Sequence, residues 1–210
     1  MSREAGPVLL ATKNRHKAEE LTALLGAVSN GIKALNLAEW EAANRSLPEP
    51  DEGADSFSGN AVLKARFYAG ATGLVALADD SGLSVEALGG APGVLSARYG
   101  GPGLDDQGRL ELLLRNMEGL HDRRAFFTSV LALARPDGRA LYWAGRADGL
   151  ISREPRGANG FGYDPIFYYP PGRRTMAEMS AEEKNLISHR ARAAALFLDD
   201  ASRVRRFLHA

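Results

Sequence analysis

Asp79 and Asp80 stand side by side at the end of an apolar run, Leu74-Val75-Ala76-Leu77-Ala78, and are followed at once by Ser81 and Gly82. A short apolar run bounded by turn residues suits a strand buried on both faces. Open α/β sheets bind ligands just beyond the carboxyl ends of such strands, so the acid pair is expected where a ligand belongs. Side chains alternate along a strand. If the strand stays regular, one aspartate faces the ligand and the other braces it. Taken alone, Asp-Asp-Ser-Gly reads as a polar turn.

Other stretches carry chemistry that would suit a phosphorylated ligand. Thr12-Lys13-Asn14-Arg15-His16-Lys17 joins a strand to a helix. A helix N-terminus offers unpaired N–H groups and a positive dipole end to an anion, and Asn14 and Lys17 add an amide and a point charge. The same residues also read as an N-cap followed by a solvated basic turn. The phosphate-loop pattern G-x-x-x-x-G-K-[ST] is absent. Pro48-Glu49-Pro50-Asp51-Glu52-Gly53 is either a solvated acidic loop or the source of one ligand for a hard cation. Arg98, in a glycine-rich loop, is a phosphate clamp or an ordinary loop arginine. Phe161 and Tyr163 alternate with glycine beside Asp164. That pattern allows base stacking plus a carboxylate that accepts base N–H groups, or a tight turn whose aromatics enter the core.

The elements that must position these groups follow from periodicity. Residues 8–11 predict a strand, and Ala18, Leu21, Leu24 and Leu25 give the next helix its apolar side before Gly26 ends it. Residues 31–55 show only a weak strand near Ile32 and then a polar loop. Asp55 or Ser56 caps a helix over about 57–71, closed by Gly73, with Ala61, Leu63, Ala65, Phe67 and Tyr68 packing. Asn60 and Lys64 share one face of it; Lys64 is a ligand or a plain surface lysine. An alternating strand is expected over 83–88 and a helix over 105–117. Strands over 125–134 and 139–147 meet at Arg135-Pro136-Asp137-Gly138, a hairpin turn, so the sheet is mixed. Ser180-Ala181-Glu182-Glu183 is a capping box that opens a helical region running to the end. Lys184 and Ser188 would share a face of it, and His189-Arg190 alone reads as solvated surface. No repeat or linker divides residues 1–210, so a single domain is expected.

Bulk composition removes several function classes. The chain has 210 residues, 45% of them hydrophobic and 25% charged, which suits one substantial core or two packed lobes. Its formal net charge of +0 provides no drive toward a nucleic-acid backbone or an anionic membrane, so neither partner is expected. With no cysteine, thiolate metal sites and a cysteine nucleophile are excluded. The first residues contain no apolar segment of signal-peptide length, and a cytoplasmic location is the expectation.

Taken together, the blocks resemble the inosine/xanthosine triphosphate pyrophosphatase family. T-x-N-x-x-K-x-x-E appears as Thr12, Asn14, Lys17 and Glu20, and the acidic element before F-x-x-N-A as Glu52, Phe57, Asn60 and Ala61, with Lys64 beyond it. A-D-D-S-G-L, L-G-G-A-P-G, S-A-R-Y, G-F-G-Y-D-P-I-F and E-K-x-x-x-S-H-R follow in the family's order over nearly the whole chain. Gly59 stands where the family usually has Glu. The resemblance implies an α/β fold with a mixed, partly antiparallel twisted sheet flanked by helices, in two lobes with the active-site cleft between them. It implies Mg²⁺-dependent hydrolysis of ITP, dITP and XTP to the monophosphate and pyrophosphate, in a homodimer. Asp80 would be general base and metal-site residue, Glu52 the second metal-site carboxylate, and Asp79 the neighbour that orients Asp80. Thr12, Lys13, Asn14, Arg15, His16 and Lys17 would hold the triphosphate, with Lys64 and Arg98 as supplements. Ser81, Phe161, Gly162, Tyr163, Asp164, Lys184, His189 and Arg190 would surround nucleoside and base. Other readings are a related septum-formation family acting on modified pyrimidine nucleotides, and a nucleotide-binding regulator without turnover.

Overall fold

In this computed structural model, residues 6–26, 33–53 and 55–209 are described. A seven-stranded sheet has the order β2-β1-β3-β4-β5-β6-β7. The strands are β1 Val8–Leu10, β2 Ala34–Asn36, β3 Val75–Val85, β4 Arg124–Ala134, β5 Ala140–Ile151, β6 Phe167–Tyr169 and β7 Arg174–Thr175. The helices are α1 Arg15–Gly26, α2 Leu37–Ala43, α3 Phe57–Thr72, α4 Asp106–Asn116, α5 Ala181–Ile187, α6 His189–Asp199 and α7 Ala201–His209. β1 runs parallel to β2 and β3, whereas β6 is antiparallel to β5 and β7, so the sheet is mixed as its hairpin turn predicted. The strand expected near Ile32 lies outside the described residues. No described helix is long and apolar enough to cross a membrane.

The chain divides into two compact units. The first comprises the residues up to Asp80, Ser129–Gly145 and the residues from Arg190 on; the second comprises Ser81–Thr128 and Arg146–His189. In the first unit the parity of β3 separates two apolar layers. Ala76 and Ala78 pack with Ala61, Ala65 and Tyr68 of α3. Leu77 packs with Leu21 of α1, Phe197 of α6 and Val204 of α7. Alanines on both β3 and α3 let helix and strand approach closely. The α3 bounds agree with the sequence: Ser56 Oγ accepts from Gly59 N, and Gly73 ends the helix at φ 72, a left-handed conformation that glycine adopts without strain. In the second unit, Leu83 and Val85 join Leu110, Leu113, Phe127, Ile151, Ile166 and Phe167 in one core. Arg123 ties this unit's loops by donating to the carbonyls of Met117, Ile151 and Ser152.

Three expectations change. Asp79 and Asp80 do not end a strand. β3 continues through Ser81 to Val85, because Leu83 and Val85 bury a second apolar stripe beyond the polar interruption. The strand expected over 83–88 is thus the end of β3, and Glu86–Leu88 form a 3₁₀ turn. The C-terminal helical region is three helices. Ser188, at φ −67 and ψ 158, leaves the helix, so Lys184 and Ser188 do not share a continuous helical face. Helix α2, within the stretch that gave no clear pattern, is the third.

Candidate functional site

The first unit builds its polar centre from β3 outward. Because successive strand side chains alternate, Asp79 and Asp80 meet different partners. Asp79 accepts from Ser129 Oγ at 2.5 Å and pairs with Lys17 Nζ at 3.0 Å and Arg190 at 3.2 Å. Burial alone would raise its pKa, but Arg190 and Lys17, with the Ser129 hydrogen bond, hold it well below the usual carboxylate range. Arg190, 1% exposed, also pairs with Glu20. It is thus a buried guanidinium held between two carboxylates and not the solvated surface residue that His189-Arg190 alone suggests. Ser129 and Glu20 were not among the expected site residues. Glu20 stood in the T-x-N-x-x-K-x-x-E pattern without a role, and Ser129 lies in an apolar strand that offers no signal of its partner.

Asp80 faces Lys64 of α3, whose Nζ lies 2.8 Å from Oδ1. The same ammonium pairs with Glu52, so two carboxylates converge on one cation. Burial raises the Asp80 pKa above the ordinary aspartate value, against the pull of Lys64 and Lys17. Burial also works against the Lys64 ammonium, yet Asp80 and Glu52 outweigh it and raise its pKa. Asp80 Oδ2 is buried and has no hydrogen-bond partner among the described residues. An unmet buried carboxylate oxygen favours an added donor or cation. The ammonium shows that a positive charge can sit between Glu52 and Asp80, and their all-oxygen chemistry suits a hard divalent cation. Among the described residues no three His, Cys, Asp or Glu side chains cluster, so such a cation would need oxygens beyond these two carboxylates.

The turn into α1 is built by its own side chains. Asn14 N donates to Thr12 Oγ1 at 3.2 Å, and Lys17 N donates to Asn14 Oδ1 at 3.0 Å. This capping arrangement aims the first turn of α1 and places Lys17 at Asp79. The other cations of the stretch behave differently. Lys13 Nζ donates to the Leu47 carbonyl at 2.5 Å and lies 3.4 Å from Glu41. Arg15 is solvent-exposed and bonded to Glu19 one turn along. His16 is exposed at the start of α1.

The second unit gathers another polar group. Lys184 Nζ donates to Asp164 Oδ2 at 2.5 Å and lies 5.0 Å from the centre of the Phe161 ring. Asp164 Oδ2 also accepts from Phe161 N at 2.9 Å. Lys184 is 5% exposed and Asp164 2%, so this is a buried pair beside an aromatic face. The His189 ring stacks on Phe127, centroids 4.6 Å apart. Tyr163 answers the question left open by the sequence: it is buried in the core, its hydroxyl donating to the Ser96 carbonyl at 3.0 Å. Of the two roles its place in the turn allowed, this burial is the one in which the aromatic enters the core. Gly162 has open space around it at φ 60, Ser81 is half-buried in β3, and Arg98 is exposed at the end of the 3₁₀ turn Gly93–Arg98.

Gly160 is constrained twice. Its φ is 74, and a Cβ there would overlap Asp164 Oδ2. Gly160→Ala is therefore expected to cost about 1–3 kcal/mol. Thermal unfolding checks this; at about 2–4 °C per kcal/mol for a chain of this size, an unchanged midpoint would refute it.

A model described as the Ham1 family matches residues 8–200. The chain is 44% identical over 201 residues to a protein named dITP/XTP pyrophosphatase from Desulfotalea psychrophila, covering 96% of this chain and 87% of that one. A protein of the same name from Thermus thermophilus is 47% identical over 194 residues, covering 91% and 90%. Among solved structures, a HAM1 protein from Coxiella burnetii superposes with a TM-score of 0.82 at 41% identity, over 95% of this chain and 98% of that one.

Proposed function

This chain belongs to the Ham1 family, and we infer that it hydrolyses non-canonical purine nucleoside triphosphates, dITP, ITP and XTP, to the monophosphate and pyrophosphate. The observation that carries this reading is the near full-length identity of 44–47% to proteins named dITP/XTP pyrophosphatase. The residues above supply chemistry that suits the reaction. Displacement at the α-phosphorus needs an aligned water, charge neutralisation on the phosphates and little covalent help. Asp80 accepts the proton of the attacking water, which its buried, raised carboxyl favours. The Lys17 ammonium and the positive end of α1 hold phosphate oxygens, with Thr12 and Asn14 shaping that turn. Asp79, Arg190 and Glu20 keep Lys17 in place. Glu52 and Asp80 would hold Mg²⁺, which when bound neutralises phosphate charge.

Phe161 offers a stacking face, and Lys184 and His189 offer donors to the six-position oxygen of hypoxanthine or xanthine. Adenine carries an amine there, so each buried donor left facing another donor costs ~1–3 kcal/mol. The reading includes a cytoplasmic homodimer.

Purified protein given dITP, XTP, dATP and dGTP with Mg²⁺ tests this. Pyrophosphate is the expected product, with dATP slower by roughly 10- to 100-fold, and a chelator should abolish turnover until Mg²⁺ is restored. Orthophosphate release, or equal rates on dITP and dATP, would sink the reading. Binding without any turnover would favour a nucleotide-binding regulator, and preference for modified pyrimidine nucleotides the septum-formation activity. The matches favour neither.

A further inference from the structure

Lys64 lies in the middle of the sixteen-residue helix α3, between Ala61 and Ala65, which are fully buried. Its Cα is thereby fixed, and only the side chain is free to move. That side chain is 15% exposed and its ammonium pairs with both Glu52 and Asp80. Lys17 also acts on Asp80. A bare dication approaching these carboxylates would meet two ammonium groups, and like charges repel strongly where water is scarce. It would find two carboxylates and, among the described residues, no cluster of three ligating side chains. A dication that arrives on a triphosphate changes this balance, because its phosphate oxygens complete the shell and give the displaced Lys64 ammonium a new anion. Asp80 Oδ2, buried and without a hydrogen-bond partner among the described residues, is an oxygen ready for that ion.

We propose that Lys64 is the built-in counter-ion of the Glu52–Asp80 pair in the nucleotide-free protein. It yields its place to a divalent cation that enters with the triphosphate, and its ammonium turns to the incoming phosphates. The protein then does not hold the metal ahead of its substrate, and metal and nucleotide bind with positive coupling. This rests on the pyrophosphatase reading and concerns the order in which that site fills.

The test is titration of Mn²⁺ into the nucleotide-free protein by calorimetry, for wild type, Lys64→Met, Lys64→Gln and Lys64→Arg, each checked for folding by circular dichroism. Wild type and Lys64→Arg should bind Mn²⁺ weakly. Lys64→Met and Lys64→Gln should bind it at least tenfold more tightly, a gain that Asp80→Asn in the same background removes. A non-hydrolysable α,β-imido analogue of dITP should give wild type the tight Mn²⁺ binding that it lacks alone. Wild type binding Mn²⁺ as tightly as Lys64→Met, or no gain in either neutral variant, would overturn the proposal. If pyrophosphate is still released from dITP with Mg²⁺ in that case, the function stands and only the role of Lys64 falls.

Discussion

Asp80→Asn is expected to lower kcat for pyrophosphate release from dITP by about 10²- to 10⁴-fold, the usual contribution of a positioned proton acceptor. The substitution keeps shape and volume, so β3 and its packing against α3 should be undisturbed. It removes the carboxylate that takes the proton and one of the two charges on Lys64, leaving Glu52 as the remaining partner. Nucleotide affinity should stay measurable, because Lys17 is paired with Asp79 rather than with Asp80. Glu52, with 24% of its side chain exposed against 7% for Asp80, sits in a wetter place. Glu52→Gln should therefore cost less. Steady-state kinetics on dITP decide the matter, and a variant turning over within a few-fold of wild type would remove Asp80 from the chemistry.

Asp79→Leu should act on stability first. The Asp79 side chain is fully buried, and Arg190 is 1% exposed. Removing the carboxylate takes one of its carboxylate partners from a buried guanidinium that also pairs with Glu20, and it removes the acceptor of the Ser129 hydroxyl and the anchor of Lys17. Breaking one side of a buried pair costs about 3–5 kcal/mol. At about 2–4 °C per kcal/mol the midpoint should fall by roughly 6–20 °C. Arg190→Met added to Asp79→Leu should cost much less than it does alone, because the buried guanidinium that lost one of its carboxylates is then gone. Strict additivity of the two substitutions would show that Asp79 and Arg190 are not energetically coupled, whatever their separation. Any loss of activity in Asp79→Leu is expected mainly as a raised KM, since its effect reaches the substrate through Lys17.

Much of the scaffold was legible because it is encoded within one turn of chain. Ser56 and Gly73 bound α3, the Ser180–Glu183 box opens α5, and Arg135-Pro136-Asp137-Gly138 closes a hairpin with Gly138 N donating to the Arg135 carbonyl. The parity argument for adjacent aspartates needed only the two-residue period of a strand. That period did separate the partners of Asp79 from those of Asp80.

What no local pattern could supply was the identity of those partners. Asp79 meets Arg190 from 111 positions away and Ser129 from 50, while Glu20 meets Arg190 across 170. The pairs form because burial makes an unpaired charge costly, and burial is a property of the packed chain. The same holds for Lys13, drawn toward the Leu47 carbonyl, for Tyr163, drawn into the second unit's core, and for β3, which runs on to Val85 to bury Leu83. By itself, the order of residues determined which groups are present, on which strand face they lie and to which family the chain belongs. The tertiary structure alone decided which charge neutralises which, since hydrogen-bond and ion-pair choice is settled between elements distant in the chain.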